Sequence, residues 1–256
     1  MAKALNGTAI EAFWSGTSFL LTQTVFQPSY AAFSHIFGRK PLLLIGLVLF
    51  GVGSVVAAVA KNFGTVIIGR VFQGLGAGGI ISITAIIFTD LIPLRERAKY
   101  LSYLQMMWAI GSVSGPLVGG AFAENVSWTW IFWINLPFAG IGFILVPIFL
   151  KLTHRSEHLI KKLKMVDWGG TVLFVSSATS MLIPLTWGGV MYEWSHWRTV
   201  VPLVVGIVGL IGFVFYERYV PQQPMIKLYI FTQRTTVSSY VGTVMHGIIV
   251  RSPPSP

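Results

Sequence analysis

Cysteine is absent from this 256-residue chain, so disulfide frameworks and thiolate metal sites are excluded at the outset. Charge is scarce too: Asp, Glu, Lys and Arg make up 10% of the residues, and only 8 residues are acidic. Patterns that mark enzymes are also missing, with no nucleophile elbow in a Ser/His/Asp order, no H-E-x-x-H pair and no G-x-x-x-x-G-K phosphate loop. What is plentiful is apolar surface. Hydrophobic residues form 54% of the chain and its mean hydropathy is +0.72, more than a soluble core of this length can hide. Crossing about 30 Å of hydrocarbon takes roughly 20 helical residues. Runs of suitable length occur near 10–34, 41–60, 64–89, 101–122, 128–150, 168–187 and 199–216, and 237–250 reads as a shorter eighth. The expectation is an all-α polytopic membrane protein that uses no cofactor and no metal.

The net charge of +10 raises the question of nucleic acid, and the location of the basic residues answers it. Arg39 and Lys40; Arg95, Arg97 and Lys99; Lys151, Arg155, Lys161, Lys162 and Lys164; and Arg218, Lys227 and Arg234 fall in every second connection, leaving only Lys3, Lys61, Arg198 and Arg251 on the other side. That alternation is the positive-inside pattern, not a nucleic-acid face. It places the Arg39 connection in the cytoplasm and Met1 outside. Because residues 1–10 carry no signal peptide, a preceding span is expected. The triplets Asn6-Gly-Thr8 and Asn125-Val-Ser127 fall on the outer side, as glycosylation acceptors would.

Several residues stand out within the apolar runs. Gly111, Gly115 and Gly119, with Gly120 beside them, share a helical face on which small residues let a neighbouring backbone approach. Pro116 cannot donate to the Ser112 carbonyl, which predicts a bend in the same turn. Arg70 is costly inside an apolar helix unless it meets water or a partner. It is expected to face the bundle interior with Gln73, Gly74 and Ala77, the alternative being that it snorkels to the outer headgroups. Glu11, Ser15, Ser18 and Thr22 recur at helical spacing and read either as a cavity wall or as helix contacts. Glu11 is either a protonation site or a residue exposed at the outer interface. In the first cytoplasmic connection Gly38 permits a sharp helix exit, Arg39 and Lys40 face the anionic leaflet, and Pro41 suits a first helical turn.

Six of these segments, in order, resemble the major facilitator superfamily. Ala31-Ala-Phe-Ser-His35-Ile-Phe-Gly38-Arg39-Lys40 resembles its loop between helices two and three. Arg70-Val-Phe-Gln73-Gly74-Leu-Gly76-Ala77-Gly78 is similar to its fourth-helix motif, and Gly111 to Gly120 to the fifth-helix motif of its antiporters. Trp130-Ile-Phe-Trp-Ile-Asn135-Leu-Pro137, Asp167-Trp-Gly169-Gly170 and Glu217-Arg-Tyr-Val-Pro-Gln-Gln-Pro224-Met225 are like the fourteen-span drug:proton antiporter branch, its fungal members in particular.

The resemblance implies a partial superfamily fold. Residues 1–150 would form an N-terminal bundle of spans two to six, lacking the first helix, and 151–166 a basic cytoplasmic loop. Residues 167–216 would be two additional linker spans, 217–235 a cytoplasmic loop, 236–250 the first span of the C-terminal bundle and 251–256 an irregular tail. The Pro-rich Arg251-Ser-Pro-Pro-Ser-Pro256 interrupts that last helix, as a truncated chain would. His35, Gly38, Arg39 and Lys40 would form the gating loop, although the family has Asp at the His35 position and Gly at the Ala31 position. Arg70, Gln73 and Gly74 would serve proton coupling and the cavity; Gly111, Gly115, Pro116, Gly119 and Gly120 would form the antiporter helix.

The implied activity is proton-coupled export of small amphipathic organic compounds, such as drugs or toxins, by alternating access. The partners would be the substrate, protons and the lipid bilayer, for a monomer in the plasma membrane or, second, the vacuolar membrane. Proton-coupled uptake of a nutrient or iron chelate on the same scaffold, and an inactive truncated protein, stay open as alternatives. A tag placed between Gly38 and Arg39 is expected to be reached by protease only from the cytoplasmic side. Cleavage from the outer side would overturn the orientation.

Overall fold

The computed structural model describes residues 5, 7–150, 159–221, 224–226 and 233–251. Its regular elements are helices: α1 (Ala9–Phe37), α2 (Arg39–Ala58), α3 (Phe63–Leu91), α4 (Arg97–Asn125), α5 (Trp130–Trp133), α6 (Asn135–Phe149), α7 (Leu159–Met165), α8 (Trp168–Trp187), α9 (Trp197–Tyr219) and α10 (Arg234–Arg251). Six stretches among the described residues are long and apolar enough to cross a membrane: α2, α3, α4, α5 with α6, α8 and α9. The serine- and threonine-rich α1 is not among the six, yet it runs 29 residues along the bundle. The short helix α7 occupies part of the predicted basic loop. Residues 151–158 and 252–256, most of the loop's start and of the predicted tail, lie outside the described residues.

Helix ends follow local chemistry. Thr8 and Glu11 form a reciprocal capping box at the start of α1, the Asn62 side chain accepts from the Thr65 N–H at 2.8 Å, and Asp167 accepts from the Gly170 N–H at 2.8 Å. Each satisfies donors that a helix start leaves orphaned. Gly38, with φ 93°, is the joint between α1 and α2. A side chain is strained in that conformation, so glycine permits the sharp exit. The fifth apolar run is broken between α5 and α6 at Ile134, where Pro137 has no N–H to return to the preceding turn.

The packing of α1 and α2 on α3 organises the first half of the chain. Between helices immersed in lipid, apolar side chains gain little by meeting each other, so close backbone approach through small residues has to supply the contact. α3 does this on two faces. Towards α2, a Cβ on Gly69 would sit 2.7 Å from the Ala57 nitrogen, and one on Gly76 would sit 2.5 Å from the Gly46 carbonyl oxygen. Towards α1, a Cβ on Gly74 would lie 2.5 Å from the Phe19 carbonyl oxygen, and one on Gly78 2.6 Å from that of Gln23. Tyr30, Leu42, Leu43, Ile83 and Ile87 fill one end of this unit, and Ala57, Ala58, Val66 and Phe132 the other. α8 and α9 form a second pair, in which Gly206 admits the Met181 backbone and Ser180 donates to the Pro202 carbonyl at 2.8 Å. That pair meets α1 through Trp14 against Trp187, ring centroids 6.0 Å apart, and Phe33 against Trp168, 6.1 Å.

Two of the expected small or polar stripes take particular places in this fold. Gly111, Gly115, Gly119 and Gly120 do not admit a neighbouring helix among the described residues, since a Cβ on any of them meets nothing within 4 Å. The reason is placement: α4 has no buried residue and is held near its ends, by Arg97 on the Thr89 carbonyl at 2.6 Å and by Phe122 stacked on Trp130. The second is the α1 stripe, which includes residues in contact with α3. Ser18 is 5% exposed and Thr22 lies against Gly74, because the α3 glycines draw that face into the interface. Glu11 is engaged in the capping box. On this basis Gly76→Ala should lower stability by about 1–3 kcal/mol, the usual cost of overpacking, while Gly115→Ala should be neutral or slightly stabilising. Thermal unfolding of the two variants in detergent checks the contrast, and equal losses would refute it.

Candidate functional site

Gln73 is fully buried, and Arg70, one turn before it on α3, directs its guanidinium inward. Arg70 Nε donates to the Ser15 carbonyl oxygen of α1 at 2.9 Å, and a terminal guanidinium nitrogen donates to Gln73 Oε1 at 3.0 Å. Gln73 in turn donates from Nε2 to Ser54 Oγ of α2 at 2.7 Å, and Ser54 donates to the Phe50 carbonyl oxygen at 2.8 Å. A continuous polar chain therefore crosses from α1 through α3 to α2. The Ser15 carbonyl can take this bond as well as its helical one because it has two lone pairs.

The guanidinium carbon also sits 4.3 Å from the centre of the Phe19 ring and 6.0 Å from that of Phe132, where the ring face attracts a cation. An arginine at the centre of a membrane helix costs about 2.5–3.5 kcal/mol by insertion scales, and these contacts offset that cost without a counter-charge. The described residues place no carboxylate in an ion pair with Arg70; an ion pair elsewhere joins Arg39 to Asp90. A fixed positive charge held only by a carbonyl, an amide and aromatic faces can bias the protonation of any acid brought near it.

The stripe expected beside Arg70 is divided by the packing. Gln73 turns to α2 and Gly74 to α1, where each is buried. The glycines thus bring both neighbours close enough for one side chain chain of hydrogen bonds to span them. Ser54 was not anticipated, although it is the one hydroxyl in the α2 sequence, and a single polar residue in an apolar span is a usable signal. Phe19 carried none.

In the connection between α1 and α2, Arg39 Nε reaches Asp90 Oδ2 at 2.5 Å and Lys40 Nζ donates to the Pro147 carbonyl at 3.0 Å. These tie the joint to the ends of α3 and α6. His35 is exposed and Gly38 provides the turn. Asp90 was also missed, though it is the one acidic residue between Glu11 and Glu96. Pro116 lies inside a helix α4 that runs unbroken through it.

A helical bundle with apolar outer faces, small residues at its contacts and a buried arginine network defines a polytopic membrane protein. Residues 1–215 match the family model described as Major Facilitator Superfamily, and the chain belongs to that superfamily. It is similar to "MFS transporter L2" of a Phoma species, 53% identical over 250 residues that make up 98% of this chain and 42% of that protein. It is 42% identical to "MFS-type transporter sphD" of Aspergillus fumigatus over 98% of this chain and 44% of the other. With "MFS-type efflux pump LUC4" of a Fusarium species the identity is 40% over 93% of this chain and 42% of that pump. The chain thus spans less than half the length of these relatives.

Removing Ser54 leaves the buried Gln73 amide without an acceptor, so Ser54→Ala should cost about 1–3 kcal/mol. Gln73→Leu added to it should cost less than the sum of the single changes, with a coupling of about 0.5–3 kcal/mol between groups in one network. A double-mutant cycle read by thermal unfolding tests this; strict additivity would show that the chain of bonds is not a unit.

Proposed function

We propose that this chain works in a proton-coupled antiporter that exports small amphipathic organic compounds across the plasma membrane. The observation that carries the reading is Arg70, a cation held in the interior of a three-helix unit on neutral partners alone. Such a charge lowers the proton affinity of an acid that approaches it and is relieved when the acid moves away, which is the electrostatic element proton coupling needs. The similarity to proteins named efflux pumps supports the outward direction. Alternating access would come from rocking of packed helical units about a central site, with α1, α2 and α3 moving as one body because their backbones interlock at the α3 glycines. The connection at Gly38, tied to Asp90 and to the end of α6, would restrict that motion on the cytoplasmic side. Gly111 to Gly120 would present a small-residue face for a moving neighbour.

In vesicles containing the protein, an inwardly directed proton gradient should accelerate exit of a fluorescent amphipathic dye, and a protonophore should abolish the effect. Arg70→Ala should reduce the gradient-driven rate by at least about tenfold, the factor associated with about 1.4 kcal/mol, with a smaller loss for Arg70→Lys. Movement indifferent to the gradient would overturn proton coupling; accumulation rather than exit would favour uptake, and no movement in either direction would favour a chain without transport activity.

A further inference from the structure

Asp167 and Glu217 stand 50 positions apart in sequence and converge at the predicted cytoplasmic ends of α8 and α9. Asp167 Oδ1 is satisfied, accepting from the Gly170 N–H at 2.8 Å and from the Tyr216 hydroxyl at 3.1 Å. Glu217 Oε1 accepts from the Met225 N–H at 3.1 Å, so residues 224–226 are held down by this carboxyl group. Glu217 is only 4% exposed. The second oxygen of each acid, Asp167 Oδ2 and Glu217 Oε2, is buried without a hydrogen-bond partner.

The two groups share one small space above Gly170. A Cβ on that glycine would collide with Asp167 Oδ2 and would lie 3.1 Å from Glu217 Oε1, so both carboxyl groups border the space that a side chain there would fill. Among the described residues, the groups around the pair are these. Tyr216 already donates to Asp167, and Arg218 is exposed, with its guanidinium turned to the Tyr219 ring at 5.6 Å. Residues 224–226 contribute the Met225 and Ile226 backbone amides, both directed at Glu217, and the Met225 thioether, which lies 4.0 Å from Thr171 Oγ1. Lys162 of α7 is buried and engaged in an interaction.

Two ionised acids in this space would repel each other while each kept a bare oxygen out of water. One proton removes the repulsion and supplies the absent donor in a single step. We propose that Asp167 and Glu217 bind one proton between them, and that this shared proton is the clasp holding residues 224–226 against α8 and α9. Deprotonation leaves two carboxylates and a free proton, and their repulsion drives Glu217 and the Met225 backbone away from Asp167. The proposal is independent of the transport reading, since it concerns a fixed contact and not a cargo.

The full chain in lipid nanodiscs tests it by two routes. Infrared spectra at neutral pH should contain the carbonyl stretch of a buried carboxylic acid, sensitive to deuterium, that disappears in both Glu217→Gln and Asp167→Asn. Hydrogen exchange at the Met225 amide, corrected for base catalysis, should accelerate about tenfold per pH unit over the range in which the closed clasp still holds the proton and the opened one has released it, the slope for an opening linked to one proton, and level off above it. Glu217→Gln keeps the acceptor for Met225 and adds a neutral donor, so the slope should vanish while protection stays. An absent acid band, a flat profile in the unaltered protein, or the same slope in Glu217→Gln would overturn the clasp. Protection that follows sodium or potassium at fixed pH would assign the site to a metal cation instead and would equally refute the proposal. The infrared measurement on the unaltered protein stands even if a variant fails to fold.

Discussion

The close approach of α1 and α2 to the glycine faces of α3 is the contact on which the rest of the structure depends. Lipid chains are as apolar as leucine, so these helices gain little from apolar side-chain contact and rely on dispersion and hydrogen bonds between backbones at short range. Gly69 and Gly76 open one side of α3, Gly74 and Gly78 the other. Only at that separation can Arg70 reach a carbonyl of α1 while Gln73 reaches a hydroxyl of α2. The polar network is thus a consequence of the glycines and in turn fixes the rotation of α3 between its neighbours.

The distribution of polarity follows the same logic. Serine, threonine and glutamine are found among the buried residues, including Ser29, Ser34, Ser54, Gln73 and Thr199, while large apolar side chains such as Leu117, Ile144 and Val208 are exposed. Polar side chains share the interior with apolar ones while apolar surface faces outward, as suits a bilayer. α4 shows the arrangement at its most open: its outer turns stack on Trp130, its first turn is hooked to the end of α3, and its middle stands clear of the other described residues. α8 and α9 are joined more fully, by their own glycine contact, and touch α1 at two aromatic pairs near opposite ends.

The membrane architecture was legible in the sequence. Long apolar runs, the alternation of basic residues and the order of six motifs led to a multi-span member of the superfamily, and the family match agrees. The interior direction of Arg70 followed from the cost of a charge in hydrocarbon. The functional geometry was less legible. The Gly111 face looked like the principal packing surface because its spacing is regular, yet the contacts form at α3, where the glycines are less evenly spaced and lie beside a charge. The Glu11 to Thr22 stripe could be read as a cavity wall or as helix contacts, because polar residues in a membrane helix have two destinations, water or a neighbour, and spacing cannot tell them apart.

The sequence by itself marked the six described helical stretches fit for lipid, among others, and the connections that carry the positive charge. Those properties are local, since every backbone hydrogen bond of a membrane helix closes within the segment. It also marked Arg70 as a residue needing partners. Tertiary structure alone decided who the partners are: Ser15 and Ser54 from different helices, Asp90 for Arg39, and Glu217 beside Asp167. These pairings depend on how each helix is rotated and how near its neighbour stands, a relation among distant parts of the chain that no single stretch encodes.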